Sequence, residues 1–73
     1  MKVTVEHLHS VPTWTGRQGY CHRQSRAFFL EHGLDWQAFL QDGIEEELLL
    51  ATGDALAAKL VEHAREVADG QQQ

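Results

Sequence analysis

Five histidines and a single cysteine in 73 residues are the side chains with the most reactive chemistry in this chain. His7-x-His9 and the adjacent pair Cys21-His22 offer imidazole nitrogen and thiolate sulfur, the donors that zinc selects. Structural zinc sites announce themselves by paired ligands at short, recognisable spacings, whereas here one cysteine and scattered histidines would have to be gathered by a loop. His7 and His9 would share a face in a strand and diverge in a helix. The plainer assignment is surface histidines, a small buried Cys21, and no metal or other cofactor. A thiolate nucleophile at Cys21, with His22 or His32 as base, would draw stabilisation from Arg23 and a helix amino terminus. No third orienting group and no oxyanion site accompany it, so no catalytic residue is assigned and the chain reads as non-enzymatic. Thr52-Gly53-Asp54 lacks the several glycines and the lysine of a phosphate cradle, and the Asp54 carboxylate repels anions; it reads as helix-capping chemistry.

One surface stands out as a candidate for partner binding. Arg17, His22, Arg23 and Arg26 lie close in sequence to Trp14 and Tyr20, and Arg, Trp and Tyr are the types enriched where interfaces concentrate their energy. His22 and Arg26 share a helix face at i, i+4. Pro12 and Gly16 put the aromatics on a loop, where they either face a partner or fold back as a lid over a small core; the two readings stand level. If the patch binds, it calls for an acidic surface, the Glu45 to Glu47 region of another copy included.

The elements that position these residues are helical from Cys21 onward. Ser25, Phe28, Phe29 and His32 form one stripe at i, i+3, i+4, i+7. Gly33 ends that helix, with Leu34 folding back on Phe29 as in a Schellman stop, and Asp35 caps the next. There Trp36, Phe39 and Leu40 make a compact apolar face, and Gly43 with Ile44 repeats the stop. Glu45, Glu46 and Glu47 suit the first turn of a short third helix. Leu48, Leu49 and Leu50 cannot all face one narrow core, because successive helical residues turn by about 100°. Thr52 is positioned to cap a last helix from Gly53 to about Ala68, with Leu56, Leu60, Ala64 and Val67 on its stripe and Asp69-Gly70 at its end.

The first twenty residues show no long period. Thr4 could cap one or two turns through His9, and Lys2 to Val5 could equally be a short strand. The expectation is one all-α domain of three or four short helices with an irregular N-terminal segment: residues 1–20 as element and loop, 21–69 as helical core, 70–73 as a flexible tail. Phe28, Phe29, Trp36, Phe39, Leu40, Leu56, Leu60 and Val61 are the expected core.

Composition narrows the classes of function. With 42% apolar and 23% charged residues, one Pro and six Gly, the chain is neither disordered nor collagenous. No apolar run approaches a membrane span. One cysteine excludes a disulfide framework. The first residues, MKVTVEHLHSV, show no apolar stretch followed by a small-residue cleavage site, so a cytosolic location is expected. The net charge of −5 disfavours nucleic acid, whose binding rests on Lys and Arg neutralising phosphates. The balance is also lopsided, +3 over residues 1–30 and −8 over residues 31–73. Two short helices joined at Gly33 suggest a helix-turn-helix, yet the second, Trp36-Gln37-Ala38-Phe39-Leu40-Gln41-Asp42, has no Arg or Lys and offers only Gln37 and Gln41 to base edges.

Gly19 and Cys21, then Arg26, Phe29, His32-Gly33-Leu34-Asp35-Trp36, Phe39, Gly43-Ile44 and Ala51-Thr52-Gly53-Asp54-Ala55-Leu56, give the stretch from Gly19 to Ala68 a pattern of its own. In it the chain resembles a family of small uncharacterised proteins encoded by tailed bacteriophages and prophages. The resemblance implies a role near head or tail assembly and brings no established activity, ligand or catalytic residue. The expectation is therefore a non-enzymatic accessory protein acting by protein–protein contact in virion morphogenesis, with a phage structural protein as partner. It would reside in the cytoplasm of the bacterial host, with packaging in the particle left open. A modulator of a host protein and a small DNA-binding regulator are the alternatives, and a homodimer pairing basic and acidic ends is a further expectation.

Overall fold

The structure is a computed structural model that describes residues 1–13, 16 and 18–71. The described residues form five helices and one small sheet, more helices than the three or four expected and a sheet that the all-α reading lacked. In chain order these are β1 (Lys2–Val3), α1 (Val5–Ser10), α2 (His22–Glu31), α3 (Trp36–Asp42), β2 (Ile44–Glu45), α4 (Glu46–Leu50) and α5 (Ala55–Gln71).

Both readings of the N-terminal segment are realised in succession. β1 pairs antiparallel with β2, Lys2 opposite Glu45 and Val3 opposite Ile44. Alternation across the two-residue ladder buries Val3 and Ile44 and leaves Lys2 and Glu45 in solvent. Thr4 then opens α1: its N–H donates to Nδ1 of His7 at 2.9 Å, a histidine taking the place that Glu or Gln holds in a capping box. Gly43 makes the sheet possible. At φ 85° and ψ −178° it occupies a region that only glycine enters readily, and a Cβ there would lie 2.8 Å from the Val3 carbonyl oxygen. The stop at Gly43 is therefore not a repeat of that at Gly33; it turns the chain straight into a strand.

At the end of α2 the expected Schellman pattern is present. The Leu34 N–H donates to the Phe29 carbonyl at 2.7 Å and the Gly33 N–H to that of Leu30 at 3.2 Å. Asp35 caps α3 by accepting the Ala38 N–H at 3.0 Å. The cap of α5 sits two residues later than expected. Asp54 accepts the Ala57 N–H at 2.9 Å, while the Thr52 hydroxyl donates back to the Leu49 carbonyl at 2.7 Å and accepts the Asp54 N–H at 3.2 Å. Nor does Asp69-Gly70 stop α5, which continues to Gln71.

The core is Val3, Leu8, Val11, Phe29, Phe39, Ile44, Leu49, Ala57, Leu60, Val61 and Ala64, with Phe28, Trp36 and Leu40 packed partly buried against it. Of the expected core residues Leu56 is the exception, at 40% exposed. The buried stripe of α5 runs through Ala57, Leu60, Val61 and Ala64, at i, i+3, i+4, i+7, and leaves Leu56 on its edge. Leu49 is buried between Leu48 and Leu50, which stay 50% and 42% exposed, as three consecutive leucines on a short helix require. The longest helix, α5, packs against α4 and α1 and also reaches β1.

Candidate functional site

The candidate site lies where the loop after α1 returns to start α2. Its backbone is tied to the end of α1 by two hydrogen bonds, Gly19 N–H to the Val11 carbonyl at 2.7 Å and Tyr20 N–H to that of Leu8 at 3.0 Å. The second satisfies a carbonyl in the last turn of α1 and the first the carbonyl just beyond it. Gly19 allows the approach: its φ is +87°, and a Cβ would stand 2.5 Å from the His9 carbonyl oxygen. Tyr20 is half-buried, and its hydroxyl donates to the Leu56 carbonyl at 2.9 Å, so it ties the loop to α5. That is the lid role rather than the exposed one. Trp14 and Arg17 lie outside the described residues.

His22, the first residue of α2, reaches across to α1, where its Nε2 lies 2.6 Å from Nε2 of His9. The ring centres are 4.8 Å apart and the planes differ by 16°. That separation is close to the nitrogen–nitrogen distance plus two ring radii, so the rings meet edge to edge along a shared N–H···N line. The His22 and Trp36 rings also meet near-perpendicularly with centres 5.6 Å apart, Trp36 meets Phe29 at 5.2 Å, and Phe29 meets Phe39 at 4.9 Å. A surface histidine pair is thus anchored through aromatic contacts to the buried centre, which fixes the start of α2.

His7 and His9 diverge as helical geometry requires. His7 turns toward His63 of α5, ring centres 6.4 Å apart, and Nε2 of His63 is 2.8 Å from the Ser10 hydroxyl. Burial, then the neighbouring His63, lowers the His7 pKa from its ordinary value, against a smaller opposing pull from Glu6.

Cys21 is exposed, not the small buried residue expected. Its thiol pKa is lowered, chiefly by the nearby Gln24 and Arg23 backbone N–H groups at the start of α2 and, more weakly, by the Arg23 charge. The two bases considered for it are placed elsewhere: His22 is turned to His9, and His32 lies past the far end of α2. Among the described residues no group of three or more His, Cys, Asp or Glu side chains is arranged to hold a metal ion.

Two concavities flank this region. One, about 710 Å³, is floored by Leu8, Phe29, Leu49 and Leu60 and rimmed by Tyr20, Cys21 and Asp54. The other is an open groove of about 580 Å³ between α2 and the start of α3, lined by Arg23, Arg26, Leu30, Leu34, Asp35 and Trp36 among others. Arg23 and Arg26 are both exposed, and neither has an ion-pair partner among the described residues. Leu30 is 82% exposed, the most open large apolar side chain described. The Asp35 carboxylate faces the same groove but is engaged with the Ala38 N–H.

The structure therefore brings Arg23 and Arg26 together with apolar residues that the sequence reading did not single out as a site. The signal was available. Arg23, Arg26, Ala27 and Leu30 stand at i, i+3, i+4, i+7, a second stripe on α2 beside the apolar one.

Comparison with protein families, curated proteins and solved structures finds no match to this chain. No helix among the described residues is long and apolar enough to cross a membrane.

Proposed function

We propose that this chain is a non-enzymatic binding protein whose α2–α3 groove engages an acidic, partly apolar protein surface. The observation that carries the reading is the pairing of two exposed, unpaired arginines with Leu30 and Trp36 in one groove. Guanidinium groups in that setting select carboxylates, and the leucine and indole supply the apolar contact from which an interface draws affinity. Together with the phage-family resemblance of residues 19–68, this favours an accessory role in virion morphogenesis with a phage head or tail protein as partner.

The test is affinity capture of the tagged protein from cells in which the phage is replicating, with the R23E/R26E variant alongside. Recovery of a phage structural protein by the native chain, and its loss with the variant, supports the reading. Arginine-dependent recovery of a host protein would move the same groove to the modulator alternative. Equal recovery by both chains would remove the groove from the mechanism.

A further inference from the structure

We infer that the groove of one chain receives α4 of a second copy, head to tail; this rests on the groove reading above and names its partner. The acidic, apolar surface that the groove requires is present on the chain itself. On α4, Glu47 is exposed beside Leu48 and Leu50, which are 50% and 42% exposed. With Met1, Leu30 and Leu56 these two leucines make up the large apolar side chains open to solvent among the described residues. Glu47 and Leu50, at i, i+3, share one face of α4, so that a carboxylate meets Arg23 and Arg26, which have no ion-pair partner within the described chain, and a leucine meets Leu30 and Trp36. The acidic outer face of α5, through Glu62, Glu66 and Asp69, matches the arginines but presents no large apolar side chain beside those acids. α4 is the surface that satisfies both halves of the groove.

Groove and α4 are different surfaces of the molecule, so the contact is heterologous: each copy that receives one neighbour still offers its own α4 to the next. Such a contact builds a ring if the rotation closes and an open chain of copies if it does not. Opposite charges at the contact make the assembly sensitive to ionic strength.

Light scattering on the full chain tests this. At low salt the mass should rise with concentration above the 8.3 kDa of one chain and return toward it in high salt. R23E/R26E, with its groove reversed, and E47Q/L50S, with its α4 surface neutralised and trimmed, should each remain monomeric with unchanged circular dichroism. All four positions are exposed. Mixed in equal amounts, the two variants should form a complex of two chains and nothing larger, because one intact groove and one intact α4 remain between them. A native chain that stays at one-chain mass at every concentration overturns the inference, as does a mixture that stays monomeric while the native chain assembles. The two readings fail separately. A monomer that still captures a partner through Arg23 and Arg26 overturns only the second copy, whereas capture indifferent to those arginines overturns both.

Discussion

Replacing Gly19 with alanine tests how the site is held. Two costs combine at this position. The first is conformational: φ of +87° lies where L residues rarely go, which costs about 1–3 kcal/mol. The second is steric, since the new Cβ would stand 2.5 Å from the His9 carbonyl oxygen and 3.0 Å from its carbon, both backbone atoms that no rotamer change can move. The loop must retreat from α1, which endangers the Gly19–Val11 and Tyr20–Leu8 hydrogen bonds at about 0.5–1.5 kcal/mol each. The sum is about 2–6 kcal/mol. A domain of this length has a total stability of about 4–11 kcal/mol. Gly33→Ala is the matched control, for it also has positive φ, +69°, but nothing within 4 Å of the added Cβ. It should lose only the backbone cost, about 1–2 kcal/mol. Urea unfolding followed by far-UV circular dichroism gives both values, and NMR of the His9 and His22 rings should show their contact broken in G19A alone. Equal losses in the two variants, to within about 0.5 kcal/mol, would refute the argument that close approach to α1, rather than backbone conformation, fixes glycine here.

Four further outcomes follow from the same contacts. Phe29→Ala removes the ring that joins Trp36 to Phe39 and should cost about 3–5 kcal/mol in urea unfolding, enough to leave the chain partly unfolded. Asp54→Ala should cost about 0.5–2 kcal/mol through the lost cap on the Ala57 N–H, whereas Thr52→Val should cost less if Asp54 is the cap. Because the His7 pKa is lowered in the fold, the unfolded chain binds protons first as pH falls below about 6.5. Stability from this residue is complete above that pH and declines as pH drops toward the lowered value; urea midpoints should show a shallower acid decline in His7→Gln, which keeps an acceptor for the Thr4 N–H. Alkylation of Cys21 by iodoacetamide at mildly acidic pH should be faster in the folded protein than in urea, since the Gln24 and Arg23 N–H groups are held near the thiol only when the helix is formed.

What could be read from the sequence was what neighbouring residues decide among themselves. The end of α2 at Gly33, the cap at Asp35 and the aromatic faces of α2 and α3 rest on contacts within a few residues, and they stand where the pattern put them. Lys2 to Val5 could be offered as a strand, but its partner was invisible, because a two-residue strand at Ile44 has no period to detect; the pairing exists because Gly43 turns Ile44 toward Val3, forty-one positions away. Leu8, Val11 and Leu49 entered the core for the same reason, each buried by elements distant in sequence. The cap of α5 could not be assigned from residue type, since Thr52 and Asp54 both suit it and only the geometry of the preceding turn commits the threonine to the Leu49 carbonyl.

The candidate site divides along the same line. Arg23 and Arg26 were recognisable as a pair because one helix presents them together, and Leu30 belongs to their stripe by the same spacing. Trp36 joins them only through the stop at Gly33, which brings the start of α3 back beside α2, so the groove is a product of the turn. The two sides of α2 thereby become unequal. One holds Phe28 and Phe29 to the core, and the other keeps two arginines and a leucine in water with nothing described in the chain to cover them. A chain of this size, with so few large apolar residues to bury, gains little stability from an exposed leucine beside two cations. Under the proposed function that arrangement is a contact surface, and the reversal of Arg23 and Arg26 is the change that tests it.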